Sequence, residues 1–271
     1  MRRLFRLTGF LPYILVIFLN AFIDLGHKIV IQNTVFKIYD GQTQIILTAI
    51  VNALILLPFI MLFTPAGYLS DKYPKNRVMR ISAWAALALT ALITLFYHLG
   101  LFWPAFAMTF LLAVQSAFYS PSKYGYIKEM VGKEHLGMAN GMVQATTTIA
   151  ILAGTFVFSI LFESYLAGVT YNNKPELIQA IAPLGWFLMS GALIELILAY
   201  AIPQKQAVDE AMRFDWRQYR RGIYLRNNIN VVIKREVIIA SIIGLSVFWS
   251  LGQVLLAAFP AFAKESLGLT N

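Results

Sequence analysis

Apolar residues run along this chain in blocks of about twenty, the length a helix needs to cross a bilayer. Six such blocks precede residue 204, at 9–32, 43–69, 78–97, 103–121, 138–162 and 178–202. A seventh runs over 237–262. Short polar stretches separate them, and the one long polar stretch lies at 204–235. The pattern predicts membrane helices throughout. The polar exceptions inside the blocks are therefore the informative residues. Asn20, Asp24, His27 and Lys28 interrupt the first block and Glu195 the sixth. Asn52, Gln144 and Gln253 are milder interruptions of the second, fifth and seventh.

Composition narrows the class. Of 271 residues, 59% are hydrophobic and 13% charged, and mean hydropathy is +0.67. Soluble domains carry about 25% charged residues. A soluble fold has no way to bury this much apolar surface, so the chain reads as an integral membrane protein. It has no cysteine, which excludes disulfides and thiolate metal sites. The first block is too long for a signal peptide and no A-x-A-like site follows it, so it is expected to stay as the first span.

The net charge of +9 changes the picture only through its placement. Eighteen of the 22 Lys and Arg fall in alternate inter-block segments if the N-terminus is cytoplasmic. Lys28, Lys37, Lys174 and Lys264 are the other four. The positive-inside rule then fixes that orientation. This pattern argues against a nucleic-acid face, and no nucleic-acid partner is expected. The segment "FDWRQYRRGIYLRNNINVVIKRE" mixes Arg with aromatics, which suits a short amphipathic helix on an anionic leaflet.

Six helices, a basic linker and a seventh helix suggest two six-helix halves, the plan of the major facilitator transporters. The expected architecture is an all-α membrane bundle. Residues 1–203 form the N-terminal six-helix half, 204–235 the cytoplasmic linker, and 236–271 the seventh helix, opening a second half that lies outside this chain. "GYLSDKYPKNRVMR", residues 67–80, resembles the superfamily's Gly-x-x-x-Asp-Arg-x-Gly-Arg-Arg loop. Lys72 replaces the usual Arg, and Pro74 stands where Gly is common. Gly67 is expected to permit close helix contact. Asp71 is expected to pair with Arg77 or to cap the third span, and the resemblance makes Gly67, Asp71 and Arg77 a conformational latch. An ordinary positive loop is the plainer alternative.

"FYSPSKYGYIKE", residues 118–129, is more specific. Pro121 is expected to break the end of the fourth span, with Ser120 and Ser122 satisfying freed backbone groups and Lys123 at the cytoplasmic mouth. The Tyr-Ser-Pro-x-Lys-Tyr-Gly run resembles that of the bacterial lysophospholipid transporter family. So does "MANGMVQATTTIAILAGT", residues 138–155, with its Ala-Asn-Gly-x-x-x-x-Thr opening. "SVFWSLGQVLL", residues 246–256, resembles that family's seventh span, although no arginine stands near Leu256.

Asp24 lies three residues from His27 and four from Lys28, so the three share one helix face. At 1.5 Å per residue, Asp24 lies roughly 22 Å along the first helix, in the outer half of the bilayer. Asn20, Asp24 and Lys28 form a polar stripe, as a cavity wall would; an Asp24–Lys28 pair that neutralises itself is the alternative. The resemblance implies that Asp24 engages the ethanolamine of a lysophospholipid headgroup or couples to a cation. Lys123 would guide the headgroup. Lys28, Asn20, Gln144 and Glu195 are further candidates for the cavity.

No catalytic constellation is present. The histidines His27, His98 and His135 are scattered, the fifth residue after His135 is Asn140 rather than Asp, and no Walker loop occurs. Neither cofactor nor metal is expected. The resemblance implies a lysophospholipid transporter, chiefly for lysophosphatidylethanolamine, in the bacterial inner membrane. Its partners would be membrane lipids and an acyltransferase or acyl-ACP synthetase, fused or separate. The rival readings are an exporter of drugs or metabolites and a non-transporting membrane anchor.

Overall fold

A computed structural model describes residues 2–251 apart from Asn172 and Trp249. Gln253, Leu256 and the end of the expected seventh span lie outside the described residues. The described chain divides into a unit up to Phe214 and a second unit from Asp215 onward.

The first unit opens with α1 (Arg2–Phe5), and six of its helices are long and apolar enough to cross a membrane. The first crossing is α2 (Phe10–Ile38). The second is split into α3 (Gly41–Met61) and α4 (Phe63–Lys72). Pro58 inside α3 cannot donate to the preceding turn, and the helix breaks four residues later at Leu62. The rest are α5 (Lys75–His98), α6 (Phe102–Val131), α7 (Leu136–Leu166), a short α8 (Lys174–Ala180) and α9 (Pro183–Tyr200). Asn173 caps α8 by accepting from the Glu176 N–H at 3.0 Å.

Two expectations from the sequence change here. α2 continues six residues past the expected end, because Asn33 and Thr34 are tolerated in a helix and Thr34 returns its hydroxyl to the Val30 carbonyl at 2.7 Å. α6 runs straight through Pro121 to Val131. Among the described residues the Ser122 hydroxyl has no partner, so it does not rescue the freed carbonyl as expected. The continuation is held by packing: Tyr126 and Ile127 are fully buried, and the Tyr13 hydroxyl donates to the Lys123 carbonyl at 2.6 Å.

In lipid, helices associate through close packing rather than by escape from water. α2 and α7 meet on two glycines. A Cβ on Gly26 would lie 2.4 Å from the Phe158 ring, and one on Gly154 would lie 2.8 Å from the Phe22 carbonyl oxygen. Two apolar cores result. One gathers Ile23, Val30, Ile93, Leu112, Phe158 and Leu188. The other gathers Tyr13, Ile17, Met79, Tyr119, Val143 and Leu196 toward the Lys/Arg-rich end. Asn20, Ser116 and Glu195 each lie in sequence between residues of the two cores, and with Asp24, one turn beyond Asn20, they make a polar layer.

At the basic end, Arg80 donates to the carbonyls of Ala199 (3.1 Å) and Ile202 (2.9 Å), supplying partners for the orphaned end of α9. Lys75 and Glu129 form an ion pair at 2.6 Å between α5 and α6.

The second unit holds α10 (Trp216–Arg220), α11 (Ile223–Ile233) and an apolar helix α12 over Glu236–Phe248. Asp215 caps α10 by accepting from the Arg217 and Gln218 N–H groups, which hold its carboxyl below the usual range. Gly222, at φ 68°, makes the turn between α10 and α11 that a side chain would resist. Leu225, Ile229 and Ile233 are exposed at four-residue spacing along α11, an apolar stripe beside Arg226.

Candidate functional site

α2, α3, α6 and α7 enclose a cavity of about 270 Å³. The first and fourth spans supply its charged groups. Asn20, Asp24 and Lys28 recur every four residues on α2, so one face presents all three. Ser116, Ser120 and Lys123, spaced four and three residues apart, share one face of α6 in the same way. Leu25, Ile55, Phe59, Leu112 and Ile151 make the rest of the wall largely apolar.

The Ser116 hydroxyl donates to the Asp24 carboxylate, tying α2 to α6. Gln115 extends the tie to α5 by donating to the Ser82 carbonyl at 3.0 Å. Asp24 makes no ion pair within 4.0 Å with Lys28 or Lys123 among the described residues, so the expected self-neutralising pair does not form. Lys28 is half-buried. Lys123 is 8% exposed and lies inside the cavity rather than at an open mouth. Its ammonium sits 4.7 Å from the Tyr124 ring centre and 5.9 Å from that of Tyr119, where aromatic faces offset part of the cost of burial. The cavity thus holds one carboxylate and two ammonium groups that are not joined to one another.

His27 also borders the cavity, but its ring is committed to the bundle. Its Nε2 lies 3.1 Å from the Ala105 carbonyl and its Nδ1 lies 2.9 Å from the Tyr97 hydroxyl. A carbonyl only accepts, so Nε2 carries the proton and Nδ1 accepts from Tyr97. Both nitrogens are satisfied in the neutral form, and the residue is an interhelical fastener.

Two candidates lie elsewhere. Glu195 is completely buried in the polar layer and does not line the cavity. Asn20 faces it, and among the described residues neither Glu195 oxygen nor the Asn20 amide nitrogen has a partner within hydrogen-bond geometry. Gln144 is exposed and borders a separate recess with Tyr124, Lys128 and Asn140. Asn52 is exposed and bonds back to the Thr48 carbonyl of its own helix.

The loop between α4 and α5 also differs from expectation. Asp71 and Arg77 form no ion pair among the described residues. The Arg77 guanidinium lies 6.0 Å from the Tyr73 ring centre, and the Asp71 carbonyl accepts from the Val208 and Asp209 N–H groups, each at 3.1 Å. Pro74, not Asp71, occupies the position before α5, with no side-chain cap. A Cβ on Gly67 would meet nothing within 4 Å, so no described helix uses the space it leaves. Other cations of this stretch are tied down: Lys72 donates to the Tyr68 hydroxyl at 2.9 Å and Lys75 to Glu129 at 2.6 Å.

Sequence reasoning missed Ser116 and Tyr119. The signal was available: Ser116, Ser120 and Lys123 sit at helix spacing in an apolar block.

A sequence model of the Major Facilitator Superfamily matches residues 9–271. Among curated proteins, the lysophospholipid transporter LplT of Serratia proteamaculans is 28% identical over 87% of this chain and 52% of its own length. That of Photorhabdus laumondii is 28% identical over 82% and 50%. That of Yersinia pestis (strain Pestoides F) is 35% identical over 48% and 30%. The chain spans about half the length of the curated relatives it matches. No solved structure matches.

Proposed function

We propose that this chain, which belongs to the major facilitator superfamily, takes part in moving lysophospholipids across the bacterial inner membrane with its N-terminus in the cytoplasm. One observation carries the reading. The cavity presents a carboxylate and an ammonium group on α2 and a second ammonium group on α6, with no ion pair among them, beside apolar walls. A zwitterionic headgroup offers the complement: its ammonium goes to Asp24, and its phosphate goes to Lys123 and Lys28. The likeness to proteins named lysophospholipid transporters agrees with that chemistry.

At about 270 Å³ the cavity fits a headgroup and not a whole lipid. The acyl chain therefore lies along the apolar wall and the surrounding bilayer. Ser116 orients the Asp24 carboxylate, and the aromatic faces of Tyr119 and Tyr124 hold Lys123 in place. The cavity changes sides as the spans rock, with the Gly67–Asp71–Arg77 loop as the latch in a conformation where those groups meet their partners. The delivered lysolipid would be consumed by an acyl transfer on the cytoplasmic side.

The test is uptake of labelled lysophosphatidylethanolamine into spheroplasts carrying the complete gene. Uptake in wild type and its loss in Asp24→Asn is expected. No uptake in wild type sinks the transport reading. Equal uptake in both sinks the role of Asp24.

A further inference from the structure

A second recess of the first unit, about 740 Å³, is a groove between α5 and α6 with the end of α4 beside it. α5 supplies Ile81, Ala85 and Leu89, and α6 supplies Leu111, Val114 and Phe118. Gln115 and Ser82 also line it and are joined to each other, the Gln115 amide donating to the Ser82 carbonyl at 3.0 Å. The wall left to a ligand is therefore mostly apolar. Arg77 stands at the basic end of the groove, next to Tyr73.

The groove lies on the outside of the bundle. Val114 and Phe118 each lie two residues from a cavity-lining serine, Ser116 or Ser120, which is about 200° around α6. The groove thus opens away from the headgroup cavity. α5 turns its other side to α9: a Cβ on Gly185 would lie 2.7 Å from the Thr94 backbone, and Thr94 is nine residues on from Ala85. Ile81 and Leu111 are exposed at the groove's rims. Along α5, Arg77 to Leu89 spans twelve residues. At 1.5 Å per residue that is about 18 Å, against about 15 Å for the hydrocarbon of one leaflet. With Arg77 at headgroup level, the groove runs the depth of one leaflet.

Charge selects the occupant. Arg77 is exposed and makes no ion pair among the described residues, and its guanidinium lies 6.0 Å from the Tyr73 ring centre. Its neighbours in sequence are engaged: Lys75 with Glu129, and Arg80 with the carbonyls beyond α9. No carboxylate lines the groove, whereas Asp24 lines the cavity. A guanidinium matches a phosphodiester in both charge and geometry, and the groove offers an ammonium group nothing. We propose that the groove is a binding site for a net-anionic bilayer phospholipid, with the phosphate on Arg77 beside Tyr73 and one acyl chain between α5 and α6. The assignment to the cytoplasmic leaflet rests on the orientation given under the proposed function; the site itself does not rest on the transport reading.

Native mass spectrometry of the complete gene product, purified in detergent with added phosphatidylglycerol or phosphatidylcholine, tests the site. Wild type is expected to retain phosphatidylglycerol about fivefold or more tightly than phosphatidylcholine. Arg77→Gln should weaken that retention roughly tenfold, and Arg77→Lys should restore part of it, since lysine keeps the charge and loses the fork. Ala85→Phe fills the groove and should expel the lipid; should it not fold, Val114→Phe fills the groove from the α6 side with the same expectation. Equal retention of the two lipids, full retention in Arg77→Gln, or full retention in the groove-filling variant overturns the site. So does a wild type that retains no phosphatidylglycerol while Ala85→Phe lowers the melting temperature, since a protein segment then covers the groove. Selective, Arg77-dependent retention without lysolipid uptake supports the site and sinks the transport reading alone.

Discussion

On the cavity side of the polar layer, Asp24 has a hydroxyl from Ser116 and two lysines along the same wall. Behind it, Glu195 has the same carboxyl chemistry, no exposure and, among the described residues, no bonded partner. A carboxylate that borders a cavity keeps a hydration path and an incoming cation as options. One sealed inside the bundle on α9 keeps neither. The difference between the two acids is one of position relative to the cavity and not of residue type.

The comparison breaks most visibly at Asp24. Removing one charge-assisted contact costs about 1.5–3 kcal/mol, roughly ten- to hundredfold in affinity. Asp24→Asn is therefore expected to lower lysolipid uptake by that factor at equal membrane content; an unchanged uptake rate would erase the distinction between the two acids. Lys123→Met removes the ammonium meant for phosphate, with a loss of about tenfold in affinity, read as a raised half-saturation concentration. Lys28→Met should cost less than Lys123→Met, because Lys28 is half-buried and its ammonium is better screened.

Two further variants sharpen the contrast by disturbing the frame and sparing the charges. Gly154→Leu forces a side chain against the Phe22 backbone and should cost about 1–3 kcal/mol of packing, seen as a lower melting temperature in detergent. His27→Phe unties Tyr97 and Ala105 at a cost near 1 kcal/mol. It should lower the melting temperature slightly and leave uptake within a factor of about two. A large loss of uptake there would make His27 a binding residue after all.

Much of this was legible in the chain. The run lengths placed six crossings, and the stripe of Asn20, Asp24 and Lys28 marked a polar face before any helix was seen. The boundaries were less legible where local rules met packing. Pro121 reads as a helix end, yet α6 crosses it because Tyr126 and Ile127 bury completely beyond it. The pairing expected of Asp71 and Arg77 was read from a loop pattern. Partners of charged loop residues depend on which neighbours the fold brings near, and here Tyr73 is the neighbour of Arg77.

By itself, the sequence determined that the chain crosses a membrane and which few ionisable residues it commits to lipid depth. Period and length settle those through local geometry and transfer free energy. The tertiary structure decided which of them meet. Asp24 and Glu195 lie 171 positions apart along the chain, and only the packing of α9 against α2 puts them in one layer. Tyr97 of α5 and Ala105 of α6 give His27 its two partners, and Glu195 has none among the described residues. Burial and partnership are properties of neighbouring helices, and no window along one helix contains them.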